Sequence, residues 1–415
     1  VDVTIEQSCP SCGASIAIHE DDRLIRCSYC DVYNYKTGSI GFRYVLPVKL
    51  PELIGSDSII YMPYLRFKGS IYYVRNKEIQ YKIVDTTRLG LENQHLPVSL
   101  GLRPQVMKTT PVVSTIRGNF ILQSVPTKTI FAHAAMIIDL FNDQYDNITY
   151  HKTYIGETLS RIYQPCYMQD EKLCDAVTNE VLGPVSGLKP SLVKTCVSKV
   201  SWEPRFITTL CPGCGGLLKG ERDSLVLQCS NCASLWQEKK GKFVPVEWLV
   251  VDSDEPGARF LPFWQINFFA SGYVLKTFGD YLRFTNQPLV IRQKDETRPL
   301  AFWIPAFKIN PKAFLQLASQ LTVAQARIPE GKKKKVTNGY PVTLAEKEAV
   351  QAIKIVLANT TLSKEKKFPI LPELKLAVTA CTLSYVPFIV QTHDLIQEHT
   401  LAVVQAAALR YGRAL

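Results

Sequence analysis

The 415-residue sequence has little of what enzymes and membrane proteins display locally. No stretch reaches 18 uninterrupted apolar residues. The richest, Phe260 to Leu275, is broken by Gln265, Asn267 and Ser271, so no membrane-spanning helix is expected. There is no GxxxxGK[ST] phosphate loop, no GxGxxG after a strand, no GxSxG and no HExxH. Histidine is scarce: His19, His95, His133, His151, His393 and His399 are all there are, none beside a cysteine or carboxylate in a ligand pattern. His133 lies in an apolar helical stretch and reads as packed. Acidic clusters such as Asp21-Asp22 and Asp252, Asp254, Glu255 read as solvated turns. No catalytic motif emerges and the chain is expected not to be an enzyme, although a site assembled in space need not be local in sequence. No signal-peptide pattern is read, and a cytoplasmic location is expected.

What is present is cysteine, twelve in all and unevenly spaced. Cys9-Pro10-Ser11-Cys12-Gly13 is answered by Cys27-Ser28-Tyr29-Cys30. Cys211-Pro212-Gly213-Cys214-Gly215 is answered by Cys229-Ser230-Asn231-Cys232. The spacer between the paired knuckles is the same length in both. A CxxC knuckle presents two sulfurs to one ion, and two knuckles complete a tetrahedron with bonds of about 2.3 Å. Gly13 and Gly215 stand where the turn calls for a positive φ, and Pro10 and Pro212 stiffen the same turns. The spacers GASIAIHEDDRLIR and GGLLKGERDSLVLQ each read as strand, polar turn, strand, which puts the second knuckle at the end of a returning hairpin.

This pattern resembles a zinc ribbon, and the CPxCG knuckle is similar to half of a rubredoxin site. The resemblance covers about 30 residues in each copy and implies metal binding, not a particular activity. Cys9, Cys12, Cys27 and Cys30 form one expected ligand set, and Cys211, Cys214, Cys229 and Cys232 the other. Two structural Zn2+ ions are the first reading, and iron is the alternative for a four-sulfur site. Four cysteines leave no position for water, which argues against catalytic zinc. Paired CxxC motifs in an intracellular chain favour metal over disulfides. Cys166, Cys174, Cys196 and Cys381 lack such spacing and read as small apolar groups.

The formal charge of +11 falls to about +7 once eight thiolates and two dications are counted. That balance admits nucleic acid, an acidic membrane surface or an acidic protein and selects none. The chain is 46% hydrophobic, so part of its surface is expected to meet partners.

Comparing the halves at an offset near 200 shows more than the knuckles. SIIYMPYLRF (58–67) and GARFLPFWQI (257–266) align Pro63 with Pro262; LGLRPQVMK and AFWIPAFKI align Pro104 with Pro305; TLSRIYQPCYMQ and TLSYVPFIVQ align Pro165 with Pro387 and Gln169 with Gln391. The fold class expected is α+β, in two tandem repeats, each a four-cysteine ribbon followed by a strand-rich domain with one or two helices. The expected divisions are 1–38 (ribbon), 39–200 (α+β domain), 205–240 (ribbon) and 241–415 (the duplicate domain), with the junction near 190–205. FRYVLPVKL, IIYMPYLRF, SIYYVRN and IQYKIVDTT read as strands; prolines inside such segments suggest edges, bulges or strand ends. Lys172 to Val185 reads as a hairpin. Helices are expected over Thr129–Asn142, from Pro311 through Ala326, and after Thr343 through a capping box with Glu346. DLIQEHTLAVVQAAALRYG is ambiguous between helix and hairpin. Pro329 to Lys335 (PEGKKKK) reads as a mobile, solvated loop.

Three functions are weighed. The first is a non-catalytic scaffold or accessory subunit of a larger assembly that binds protein subunits, with Tyr61, Tyr64, Phe263 and Trp264 as candidate exposed anchors. The second is nucleic-acid binding, with Arg66, Lys68, Arg75 and Lys77 on phosphates and Tyr72 or Tyr73 stacking on a base. The third is an electron carrier using iron in the knuckles. The first is preferred.

Overall fold

The computed structural model describes residues 4–19, 22–37, 43–52, 54–76, 78–112, 115–140, 148–184, 193–195 and 205–413. Asp21, Lys77, Cys196, the end of the expected helix at 141–142 and most of the expected junction at 190–205 lie outside them. The fold is mixed α+β and strand-rich. Two compact units emerge, and neither is a continuous half of the chain. Unit 1 holds Val1–Gly69, Val84–Asp143 and Glu157–Phe206; unit 2 holds Ser70–Ile83, Gln144–Gly156 and Ile207–Leu415.

In the first half of the chain, after the first cysteine region, come β1 (Arg43–Val45), β2 (Ile60–Arg75), β3 (Glu78–Leu89), β4 (Asn119–Ile121), α1 (Thr129–Leu140), β5 (Thr149–Gln169), β6 (Lys172–Asp175) and β7 (Val181–Pro184). The sheet runs β7-β6-β5-β2-β4, with β3 on β2 and β1 parallel to β5. The hairpin expected over 172–185 is β6–β7, seen from Lys172 to Pro184, with residue 185 outside the described residues. In unit 1, Met62, Tyr64, Leu46, Leu89 and Ile162 form one buried cluster. The Tyr64 hydroxyl donates to Pro97 O at 2.9 Å. Tyr61 and Phe120 stack with ring centroids 4.4 Å apart in another.

After the second cysteine region come β8 (Trp248–Val250), β9 (Arg259–Ser271), α2 (Phe278–Thr285), β10 (Phe302–Pro305), α3 (Pro311–Val323), α4 (Glu346–Thr360), β11 (Lys375–Val390), β12 (Asp394–Gln397), β13 (Val403–Gln405) and α5 (Ala406–Gly412). The sheet order is β10-β9-β11-β12-β13, with β8 parallel to β11. The ambiguous C-terminal segment is thus a hairpin, β12–β13, followed by a short helix. α3 starts as expected, with Pro311 in its first turn and Asn310 accepting from Ala313 N. It ends at Val323, ahead of a separate 3-10 turn at Gln325–Arg327. The capping box expected at Thr343 does not form: Thr343 Oγ1 accepts from Lys308 N, and Ala345 is the residue that precedes α4.

The unit 2 core is built on Phe263, Trp264, Phe302, Leu317 and Ile353, all buried. Trp264 Nε1 donates to Leu344 O at 3.0 Å, so its one polar atom is satisfied. The segments of unit 2 drawn from the first half join this core. Tyr72 packs on Phe314 with centroids 6.0 Å apart, Thr153 Oγ1 donates to Gln351 O, and Gly156 N donates to Glu348 Oε2 at 2.7 Å.

Of the edges, bulges or strand ends expected at the prolines, Pro305 does end its strand, β10, but Pro63, Pro262, Pro165 and Pro387 lie in interior strands. Pro63 and Pro262 sit inside the interior strands β2 and β9. Pro63 O accepts from Gly90 N and Pro262 O from Ala306 N. Both donors are the first residue past the end of the neighbouring strand, β3 or β10. In an antiparallel pair the N–H and C=O of one residue face the same neighbour. The missing N–H therefore faces a strand that has already ended, and no ladder bond is lost. Pro165 and Pro387 repeat the device, accepting from Ala176 N and Glu398 N just beyond β6 and β12. Pro104, aligned in sequence with Pro305 of β10, lies instead in a short helix, Arg103–Val106.

The lysine-rich loop is held, not free. Lys332 exchanges both backbone bonds with Val250 at 2.9 Å, Lys333 reaches Glu247 at 2.6 Å and lies over the Trp248 ring, and Lys332 and Lys334 both pair with Asp252. Trp248 Nε1 donates to Lys334 O. Held against Glu247 just before β8 and Asp252 just after it, these lysines form a strip in unit 2 whose side chains stay largely in solvent, as expected.

One half-buried group gives unit 2 an acid sensitivity. Burial first, then the nearby Lys354 ammonium, pushes the His151 imidazole down to about 4, and its Nε2 has no hydrogen-bond partner among the described residues. The unfolded chain takes up a proton near pH 6.5, well before the folded one does. The stability that neutral His151 supports is therefore complete above about pH 6.5 and is lost progressively as pH falls toward 4. Denaturant unfolding of His151→Gln and the parent at matched pH should show the parent losing about 2 kcal/mol more across that window. Parallel pH profiles would remove His151 from the account.

Candidate metal centres

Each knuckle is closed by the same pair of backbone bonds. The first cysteine of the pair donates its N–H five residues ahead and accepts at its C=O from the residue four ahead. Cys9 bonds Ala14 O and Gly13 N; Cys27 bonds Val32 O and Asp31 N; Cys211 bonds Gly216 O and Gly215 N; Cys229 bonds Ser234 O and Ala233 N. The residue four ahead has positive φ every time: Gly13 at 77°, Asp31 at 64°, Gly215 at 74° and Ala233 at 61°. The glycines of the first knuckles are where the sequence placed them. Asp31 and Ala233 were not anticipated, because neither residue type announces a left-handed turn as glycine does.

The strands that carry the knuckles also match. In the first region Ser8 pairs with Ser15 and Leu24 with Tyr35; in the second Leu210 pairs with Leu217 and Val226 with Gln237. Each residue is displaced by the same number of positions. The returning hairpin expected of each spacer forms in the second region, where Leu218 pairs with Cys229. In the first, Ser15–His19 pairs backward with Thr4–Ser8, and Leu24–Arg26 pairs forward with Tyr33–Thr37.

The eight cysteines gather into two groups of four, Cys9, Cys12, Cys27, Cys30 and Cys211, Cys214, Cys229, Cys232, with all sulfurs in a group within 4.8 Å of one another. Cys9 and Cys30 are 3.8 Å apart, Cys12 and Cys27 3.7 Å, Cys211 and Cys232 3.8 Å, and Cys214 and Cys229 3.4 Å. A tetrahedron with metal–sulfur bonds of about 2.3 Å has sulfurs about 3.8 Å apart. The donor sets fit a four-thiolate ion, and both zinc and iron accept that geometry.

The thiols already differ in acidity. Burial would raise Cys9, but amide donation from Ser11 and Cys12 and the sulfurs of Cys27 and Cys12 outweigh it and bring it to about 6. The Ala14 N–H favours the Cys12 thiolate, yet burial and the other three sulfurs drive it up to about 12. In the second group the Ser234 hydroxyl, then the Ser234 amide, bring Cys232 down to about 6, while burial first takes Cys229 up to about 11. Four adjacent thiolates cannot coexist without a cation, so protons distribute unevenly among them.

Around the sulfurs the two groups part company. Beside the first, Asn34 Nδ2 lies 3.8 Å from Cys9 Sγ. Beside the second, Ser234 Oγ lies 2.9 Å from Cys232 Sγ and 3.7 Å from Cys211 Sγ, and Trp236 Nε1 donates to it at 2.8 Å. None of these three residues was picked out from sequence. Their signal was available, since they follow the second knuckles at fixed distances, but only the known closure of the knuckle tells which side chain turns inward.

Other candidate residues fall elsewhere. Tyr61, Tyr64, Phe263 and Trp264, proposed as exposed anchors, are all buried. Of the nucleic-acid candidates, Tyr72 and Tyr73 are buried, Arg66 forks onto Asp85 at 2.7 and 2.6 Å, and buried Arg75 lies over the Tyr73 ring and donates to Thr149. Lys68 is half-exposed. The stacking platform read from YLRFKGSIYYVRNK is core, because strand alternation alone does not tell which sheet faces are covered. His133 is packed, and burial lowers its pKa. Cys166 and Cys174 are buried and Cys381 is half-buried, none of them in either group. No helix among the described residues is long and apolar enough to cross a membrane. The chain matches no known protein family, no curated protein and no solved structure.

The shared turn geometry gives paired expectations of opposite sign. A Cβ at Gly215 meets nothing within 4 Å, so Gly215→Ala tests φ alone. It should cost about 1 kcal/mol in metal-loaded protein, and Ala233→Gly should gain about 0.5–1 kcal/mol. Chemical denaturation of the two variants reads both; changes of the same sign would contradict the turn assignment.

Proposed function

We propose that the chain is a tandem duplication of a metal-stapled α+β unit that serves as a non-catalytic scaffold or accessory subunit within a larger protein assembly. The observation that carries the metal part is the convergence of eight sulfurs into two closed sets of four. Each set fills a tetrahedron, so the ion staples a hairpin and leaves no position for substrate or water. Zinc is the expected ion, held by Cys9, Cys12, Cys27 and Cys30 and by Cys211, Cys214, Cys229 and Cys232. A reducing, cytoplasmic setting suits thiolate ligands.

Duplication is supported by bonds that recur outside the knuckles. Leu46 N donates to Tyr163 O, as Val251 N does to Tyr385 O. In the terminal hairpins Asp175 N donates to Glu180 O and Asn179 N to Asp175 O, as Gln397 N does to Ala402 O and Leu401 N to Gln397 O. Asn179 and Leu401 share a positive φ of 62° and 61°. The parallel pairings β1–β5 and β8–β11 also use matching registers. The aligned segment that does not recur is the one holding Pro104 and Pro305; Gly90 and Ala306 are the better equivalents, since each donates to the interior proline of its sheet.

The scaffold part rests on exposed apolar side chains. In unit 2, Phe269 is 59% exposed near the end of β9, and on the same face its pair Ala377 and the nearby Ala380 of β11 are exposed as well. Large apolar groups this accessible on a sheet suit a protein surface better than water. Of the residues chosen for nucleic-acid contact, Arg66 is engaged by Asp85, Arg75 by Thr149, and Tyr72 and Tyr73 by the core, which favours the first reading over the second.

Protein purified from its native source should carry about two zinc ions per chain and co-elute with other subunits in fixed ratio. The double variant Phe269→Glu, Ala377→Glu, which charges one exposed face, should lose those subunits with its melting temperature unchanged. Iron with a visible charge-transfer band would install the electron-carrier reading instead. A lone monomer in native mass spectra would count against the scaffold.

A further inference from the structure

The two four-sulfur groups look alike in their cages and differ in what touches the sulfurs. Position for position, Val32 in the first region corresponds to Ser234 in the second, and Asn34 to Trp236, as the registers Ile25 with Asn34 and Leu227 with Trp236 show. An indole nitrogen can only donate, so Ser234 Oγ is the acceptor of the 2.8 Å bond from Trp236. That fixes the hydroxyl and leaves its single proton to be given away. The nearest acceptor is Cys232 Sγ at 2.9 Å, with Cys211 Sγ at 3.7 Å on the same side. In the first group the equivalent position carries only the Val32 side chain, and the single side-chain nitrogen near a sulfur, Asn34 Nδ2, stands 3.8 Å from Cys9 Sγ.

We propose that Ser234, oriented by Trp236, is a positioning residue of the second metal centre and makes that centre the slower of the two to release its ion. This rests on the metal reading given above. A four-thiolate site around a dication carries two net negative charges. A hydroxyl proton directed at Cys232 disperses part of that charge and makes the sulfur less ready to be captured by a proton or an electrophile. Outer contacts of this kind change metal affinity by about 10- to 100-fold. Exposure alone argues the reverse order. In the second group Cys214 and Cys232 are both exposed, whereas in the first only Cys12 is and Cys30 is half-buried. Release rates therefore separate the two causes cleanly.

The test uses the full chain loaded with zinc, challenged with a chelator and a thiol-alkylating reagent, and followed by mass spectrometry of the cysteine peptides. In the parent, the peptides of Cys9, Cys12, Cys27 and Cys30 should be labelled first and those of Cys211, Cys214, Cys229 and Cys232 at least several-fold later. Ser234→Ala should speed labelling of the second set about ten-fold and leave the first set unchanged. Ser234→Thr, which keeps the hydroxyl, should restore the delay, and Trp236→Phe, which frees it, should shorten the delay without abolishing it. In cobalt-loaded protein, Ser234→Ala should also shift the sulfur-to-cobalt charge-transfer band, a readout that loss of packing alone would not move. Equal or reversed labelling in a parent that holds two ions overturns this proposal alone. A parent that binds no ion overturns the metal reading as well. If Ser234→Ala does not fold, the Trp236→Phe rates and the parent's labelling order decide the matter.

Discussion

Four sulfurs within 4.8 Å of one another cannot all be charged unless a cation sits among them. That requirement organises both cysteine regions. Around the first, the described buried cluster holds Cys9, Ile16, Ile25 and Cys27, with Phe206 against it. Isolated hairpins are marginal in water. A four-thiolate ion would add a crosslink to such a pair, which is how small metal domains fold. The knuckle turns complete the logic. Each brings two sulfurs to one side through two backbone bonds, and each accepts a left-handed residue to do so, even where that residue is Asp31 or Ala233.

The larger sheets depend on a different constraint, the pairing of long strands that carry proline. A proline in an interior strand usually forfeits a ladder bond. Here every such proline faces the point where its neighbour has just ended, so the missing donor has nothing to meet. Strand length and proline position are therefore linked. Extending β10 or β3 by two residues would face Pro262 or Pro63 with an unpaired carbonyl. The same link explains why these prolines served as reliable landmarks in the sequence, and why Pro104 did not. It lies in a one-turn helix and answers to no strand end.

The legible parts of the fold were those set by local chemistry. CxxC spacing placed eight ligand candidates, glycine after the knuckle placed two turns, and Asn310-Pro311 placed the start of α3. The illegible parts were set by what packs on what. Tyr72 looks like an exposed stacking residue until Phe314, far along the chain, covers it. Thr343 looks like a helix cap until Lys308 N takes its hydroxyl. Four consecutive lysines look mobile until Val250, Glu247 and Asp252 line up opposite them. None of these partners is near in sequence, and short-range patterns carry no record of them.

The terminal hairpins show what the proposed duplication preserves. Asp175 and Gln397 hold the same turn, each fully buried and each accepting the backbone N–H two residues on, from Val177 and His399. The carboxylate needs a counter-charge to be buried, and Arg103 supplies it at 2.5 Å. The amide needs none, and its spare nitrogen turns to Pro387 O. The geometry is the same while the charge differs, because the backbone bonds demand an acceptor at that spot and are indifferent to its sign. The two sulfur groups follow the same rule one layer out: matching turns hold the sulfurs, and side chains free of that duty, Val32 and Asn34 against Ser234 and Trp236, differ. Where the frame recurs, the two halves differ in the side chains that contact it, and beside the sulfurs the Ser234 hydroxyl at Cys232 is the one that stands out.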